Sequence, residues 1–237
     1  MESKFKRAFT RTTAVLFAAL LLATSAYVPQ VAQVVPTGIV AGAAGVTVVT
    51  TEDDLKTAFA VGSEVKLGAD ISITSNDIEN SIGEVTLDLN GHKIELGSST
   101  CFIVHQTLTI TDSSDDHTGT VMQSNNRVPF KLQTDSSTLD IKGGNYIVTN
   151  GNYSGTANLA SGLEGSTVNI SGGSFNVYDI VAEPVTASVS GGTFTEDVSE
   201  YVTDGAKQIQ DGNNYVVLKF QYTDDTDCWG LDRKSVV

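Results

Sequence analysis

Three histidines, two cysteines and a scatter of carboxylates are the side chains in this sequence equipped for chemistry, and their spacing limits what they could do. His117 follows Asp112, Asp115 and Asp116 within one polar stretch. Carboxylate oxygens gathered in a loop are typical calcium ligands, but this spacing lacks the glycine-centred order of an EF-hand, and a solvated acidic loop is the competing reading. His92 stands at a corner position and His105 on a strand, where both read more easily as scaffold than as ligands. Cys101 and Cys228 could pair in an exported chain. Cys228 lies close to the chain end, beside Trp229, so the pairing stays open. Among so many aspartates, some pair will always meet the loose spacing of a glycoside hydrolase, and that signal carries no information. The sequence has no Gly-x-Ser-x-Gly elbow, His-Glu-x-x-His helix, phosphate loop or dinucleotide fingerprint. It therefore predicts no catalytic, cofactor-binding or metal-ligating set.

The elements around these residues are set by a repeat. Ser166 to Phe175, Ser-Thr-Val-Asn-Ile-Ser-Gly-Gly-Ser-Phe, has an alternating apolar triplet, a small or polar residue, two glycines, a polar residue and an aromatic. The same order recurs at Leu139 to Tyr146 and at Ala187 to Phe194. A looser copy runs from Leu87 to Ile94, with His92 in place of the second glycine, and Leu108 to Asp112 begins a copy without glycines. Marking the last apolar residue of each triplet gives Leu89, Ile110, Ile141, Ile170 and Val189, at intervals of 21, 31, 29 and 19 residues. Such intervals indicate stacked repeats, each burying its apolar face against the next turn about 4.8 Å away. Leu87 and Leu89, Leu108 and Ile110, Leu139 and Ile141, Val168 and Ile170, and Ala187 and Val189 are expected to form two internal rows. The glycines suit a sharp corner that needs positive φ or close backbone passage.

Short strands without crossover helices predict an all-β, right-handed parallel β-helix over residues 46–218. Two or three strands per turn argue against a sandwich, whose hairpins would show Asn-Gly turns between every pair. Tyr146, Phe175 and Phe194 occupy equivalent places after the glycine corner, either as a sugar platform or as an internal ladder filling one corner of the coil. Before the repeats, Thr51 followed by Glu52, Asp53 and Asp54, with Leu55, Ala58 and Phe59 on one face, predicts a short amphipathic helix ending at Gly62. Its expected use is to cover the open end of the coil. After Phe194 an acidic stretch and a hairpin around Asp211-Gly212-Asn213-Asn214 predict an edge cover at the other end.

Residues 1–26 carry Lys4, Lys6, Arg7 and Arg11, then an apolar run, then Thr24-Ser25-Ala26, the three-part pattern of a secretory signal peptide. The run is too short for a membrane anchor, which needs roughly 20 apolar residues. Residues 27–45, rich in Val, Ala, Gly and Pro without period, are expected to be a linker. Removing 1–26 takes away four basic residues and one acid, so 14 basic and 28 acidic residues become 10 and 27, a net charge of −17. That excess repels phosphate backbones and anionic lipid, which excludes nucleic acid as a natural partner and suits an extracellular surface. Residues 219–237 read as an irregular tail. Asp232 to Val237 resembles a translated sequencing adapter, so an artificial stop is expected there, with an anchor or further domains beyond it.

The segments DLNGHKI, LTITDSS, VNISGGSF and SVSGGTFTEDVSEYVTDG, the last followed by a short hairpin, resemble the pectate-lyase-like right-handed β-helix repeats of secreted and cell-surface proteins of Gram-positive anaerobic bacteria. The resemblance covers roughly Val46 to Leu218. It is specific for fold and weak for function, since such scaffolds carry lyases, hydrolases, adhesins and stalks alike. Lyases of this type use acidic residues around calcium and an Arg or Lys base. Near the middle of the coil only Arg127, Lys131 and Lys142 offer one, and none belongs to a recognisable catalytic motif. The expectation is a non-enzymatic, adhesin-like module touching an extracellular polysaccharide or a cell-surface glycan through outward Thr86, Asp88, Thr109, Asn169 and Ser188. The alternatives are a fragment of a polysaccharide lyase or glycoside hydrolase, with Arg127 and Asp116 as its test residues, and a structural spacer.

Overall fold

The computed structural model describes residues 40–41, 45–125, 127–149 and 158–220. The expected signal peptide, Cys228 and residues 221–237 lie outside the described residues, as does most of the expected linker. Within that linker, however, β1 (Val40–Ala41) pairs antiparallel with β2 (Val46–Val49), whose free edge accepts even two residues of chain. Helix α1 (Glu52–Val61) follows, and then the chain coils. The first coil is β3 (Glu64–Leu67), β4 (Ile71–Ile73) and β5 (Ile78–Glu79); the second is β6 (Val85–Asp88), β7 (Lys93–Leu96) and β8 (Phe102–Val104). The third is β9 (Thr107–Thr111), β10 (Thr120–Gln123) and β11 (Phe130–Leu132). The fourth is β12 (Thr138–Ile141), β13 (Asn145–Val148) and β14 (Asn158–Gly162), and the fifth β15 (Thr167–Ile170), β16 (Ser174–Asn176) and β17 (Asp179–Val181). The sixth has only β18 (Thr186–Val189) and β19 (Gly192–Phe194), before a single 3-10 turn (Ser199–Tyr201) and the hairpin β20 (Ala206–Asp211) and β21 (Asn214–Lys219).

Each full coil gives one strand to each of three sheets, and coil-to-coil pairing is parallel throughout the described strands. The chain is thus an all-β solenoid. Sheet A runs β1-β2-β3-β6-β9-β12-β15-β18, and sheet B runs from β4 through β7, β10, β13 and β16 to β19, with the hairpin added antiparallel through β21. Sheet C, β5-β8-β11-β14-β17, stops one strand short because the sixth coil supplies none. Strand β5 was not foreseen; two residues are too few to show a period.

Strict alternation in sheet A turns one side of every strand inward. Val85, Leu108, Leu139, Val168 and Ala187 stack in one row, and Leu87, Ile110, Ile141, Ile170 and Val189 in the next. All but the half-buried Ala187 are buried, each worth about 1.5–3 kcal/mol relative to exposure. One expectation is corrected. Leu89 is not the counterpart of Ile110; Leu87 is, and Leu89 lies two residues further on, where its N–H donates to Thr111. A two-residue slip keeps every side chain on its face, so alternation alone cannot detect it.

The paired glycines divide two tasks. Gly173 has φ +110°, a region that side chains rarely adopt, while a Cβ on Gly172 would sit 2.7 Å from the Lys142 carbonyl of the coil beneath. Conformation demands the second glycine and close passage the first. Beyond the corner, Tyr146, Phe175 and Phe194 stack at centroid spacings of 4.9 and 4.8 Å, all buried. They are an internal ladder, which leaves no sugar platform there. The ladder continues through Phe130 and Phe102 of sheet C to Phe59 of α1.

Helix α1 begins as its sequence requires. Thr51 Oγ1 accepts from the Asp54 N–H at 3.2 Å, and Gly62 closes the helix at φ +66°. Leu55, Ala58 and Phe59 are buried in the common core, and the helix lies against β2, β3, β4 and β5. Glu52 does more than favour the first turn. Its carboxylate accepts from the N–H and hydroxyl of both Thr74 and Ser75 and from Lys56, tying the helix to the loop after β4.

Candidate functional site

The residues singled out for chemistry do not meet. Asp112 turns inward and is buried: Oδ1 accepts from Gly91 N–H at 2.9 Å, Ser114 N–H at 3.3 Å and Ser114 Oγ at 2.8 Å, and Oδ2 accepts from Gly119 N–H at 2.7 Å. It brackets the long corner between β9 and β10. Asp115 and Asp116 stay exposed, Asp116 accepting from Thr118 Oγ1, and that bond lowers its pKa. Among the described residues, no three His, Cys, Asp or Glu side chains are grouped to hold a metal. His117 occupies φ +51° and gives its carbonyl to Asn145 Nδ2. It shares a small recess of about 280 Å³ with Lys142 and the Gly143-Gly144 corner.

His105 lies in the bend between β8 and β9, not on a strand as expected. Its N–H donates to Asn80 Oδ1 at 2.8 Å, and this bond to a buried asparagine holds the bend between the two strands. Its Nε2 is 3.7 Å from Glu79, and His92 Nδ1 is 3.4 Å from Asp70. The Asp70 carboxyl is lowered, chiefly by the Lys93 N–H that it accepts. Arg127 Nη2 stands 3.6 Å from Asp77 and 3.7 Å from Cys101 Sγ. Cys101 is buried, which pushes its thiol up. Arg127 and Asp116 sit at opposite ends of β10, in different corners, while Lys131 and Lys142 lie on a sheet C strand and at a sheet A corner. The arginine and lysines are not brought to one point.

Two other features stand out. The first is the outer side of sheet A. Thr107, Thr138, Thr167 and Thr186 stack in one register row, and Glu64, Thr86, Thr109, Asp140, Asn169 and Ser188 in a second. Neighbours along a row are about 4.8 Å apart and the rows about 7 Å. Asn169 Nδ2 donates to Asp140 Oδ1 at 2.8 Å, so the second row is partly knitted together. Asp88, counted among the outward residues, is occupied by Ser113, Asn90 and Lys66. Burial alone would raise its pKa, yet these donors lower it.

The second feature was not anticipated. Where sheet C ends at β17, a cleft of about 600 Å³ opens between the β17–β18 connection and the 3-10 turn. Tyr178, Asp179, Glu183, Glu200, Tyr201 and Asn158 supply its polar lining. Tyr178 is 59% exposed, a high value for an aromatic ring in a wall. Tyr201 Oη donates to Asp179 Oδ1 at 2.8 Å; burial first, then Asp179 and Glu200, push that phenol well above its ordinary value. In sequence, Glu200-Tyr201 read as part of the edge cover, and only the missing strand brings them beside Tyr178.

No family model, curated protein or solved structure matches this chain. No helix among the described residues is long and apolar enough to cross a membrane.

Proposed function

We propose that this chain is a secreted or cell-surface, non-enzymatic module of the pectate-lyase-like β-helix type, adhesin-like, whose outer sheet A face contacts an extracellular or cell-surface glycan. The coil is right-handed in this reading, as nearly all parallel crossovers are, and α1 covers its N-terminal end. The observation that carries the proposal is the pair of outward rows, a regular lattice of hydroxyl, amide and carboxylate groups repeated from coil to coil. A periodic polymer can match such a lattice over several units at once, so weak contacts add along one molecule. The leader-like residues 1–26 and the net charge of −17 without them support an exported protein that avoids nucleic acid.

The test is a glycan array and a cell-binding assay on the purified chain and on a T109K/N169K variant, with circular dichroism to confirm an unchanged fold. Binding that falls at least about tenfold in the variant supports the reading, since tenfold corresponds to about 1.4 kcal/mol of lost contact. A chain that binds no glycan and no cell surface is a structural spacer instead.

A further inference from the structure

We propose that the terminal cleft binds a sugar carrying a free, protonated amine. This rests on the glycan reading above and names a ligand class for a different part of the molecule. A volume of about 600 Å³ falls within the usual range for small-ligand sites of about 300–1,000 Å³.

Its chemistry is one-sided. Asp179, Glu183 and Glu200 line it, no Lys, Arg or His does, and none of the three carboxylates takes part in an ion pair among the described residues. Among the described residues, both bonds that Asp179 accepts, from Tyr201 Oη and Ile180 N–H, fall on Oδ1, leaving Oδ2 to accept from a ligand. Asn158 also lines the cleft, but its Oδ1 is buried out of reach of anything bound there. A ligand in the cleft meets negative charge and the open acceptor sites of the three carboxylates. An ammonium suits both, and the exposed Tyr178 ring offers a face for it or for the sugar carrying it. Uronate polymers, with a carboxylate on each unit, are repelled by the same groups.

Calorimetric titration of the chain near neutral pH with a glucosamine tetramer, its N-acetylated form and a galacturonate tetramer tests this. The expected result is binding of the free-amine oligomer alone, weakened at least about tenfold in E183Q/E200Q and in Y178A, as the loss of a charge-assisted contact or a cation–π contact implies. A charge-matched D53N/D115N variant, altered on α1 and on the β9–β10 loop, should bind as the parent does. Equal binding of the free-amine and acetylated forms overturns the amine and leaves the glycan reading standing. Equal weakening by both double variants shows nonspecific attraction to an acidic protein and overturns the cleft. Absence of binding by all three oligomers also overturns it, while the array on sheet A is judged separately.

Discussion

The first half of the solenoid and the second solve one packing problem differently. In the second and third coils the large ring comes from sheet C, Phe102 and Phe130, while sheet B supplies Ile94 and Val121. From the fourth coil onward the ring moves to sheet B, as Tyr146 and then Phe175, and sheet C shrinks to Ala160 and Val181. At the changeover Phe130 and Tyr146 lie 6.2 Å apart and tilted, whereas the rings contributed by the coils within either half are stacked; the other tilted pair is Phe102 with Phe59 of α1. What repeats, then, is the volume enclosed by a coil, not the position of its largest side chain. Close-packed interiors tolerate such exchanges as long as the total is kept.

The harshest way to break this arrangement is to empty it. Phe130→Ala and Phe175→Ala should each cost about 3–5 kcal/mol, as ring truncations in cores do, with thermal and denaturant unfolding as the measurement. The sharper form is an exchange. Phe130→Val should destabilise the chain, and adding Val121→Phe to it should recover more than half of the loss, although Val121→Phe alone overpacks the core by about 1–3 kcal/mol. If the double variant is merely the sum of the two, the halves are not solutions of one volume constraint.

The corners differ as well. In the fourth and fifth coils the turn from sheet A to sheet B is closed by paired glycines, but in the third it is a longer loop held by Asp112. Asp112→Ala strands several donors at once and should cost about 2–4 kcal/mol, given about 1.5–3 for a single bond to a charged group and incomplete additivity. Gly172→Ala, whose Cβ would press on the Lys142 carbonyl, should cost about 1–3 kcal/mol through local backbone displacement. Chemical denaturation of the two variants side by side checks the order; a reversal would mean that the bracket is weaker than the close passage.

Much of this was legible in residues such as Leu139, Ile141, Val168 and Ile170, because alternation with period two and a glycine corner leave few alternatives to a stacked strand. The slip at Leu89 was not, since a shift by two residues preserves the buried face. Phe102 and Phe130 went unrecognised as partners of Tyr146 because they lie in another sheet and share no motif with it. Asp112 looked like one acid among three, and nothing in its neighbours says that Gly91, in the coil beneath, supplies a donor. The cleft was the least readable of all. Tyr178 and Tyr201 face one space only because the sixth coil lacks its third strand, and an omission leaves no motif behind.

The two ends complete the contrast, and the expected effect there is the smallest. At the C-terminal end the hairpin is held by main-chain pairing of β21 to β19, which does not titrate, whereas the N-terminal helix is tied down by a carboxylate. Burial alone would raise the pKa of Glu52, but hydrogen bonds from Lys56, Ser75 and Thr74 outweigh it and lower the value from 4.5 to about 2. A depressed folded-state value means that the unfolded chain takes up the proton first. The stabilisation is therefore complete above about pH 4.5 and is lost as the pH falls toward 2. Because the group is near the surface, solvent screening reduces it to about 1 kcal/mol. Glu52→Gln should remove that increment near neutral pH and flatten the stability profile between pH 4.5 and 2 relative to the parent. Amide exchange should register the change first in α1 and the loop after β4, with the hairpin β20–β21 unaffected; equal loosening at both ends would mean that Glu52 acts through the whole coil and not through the loop it holds.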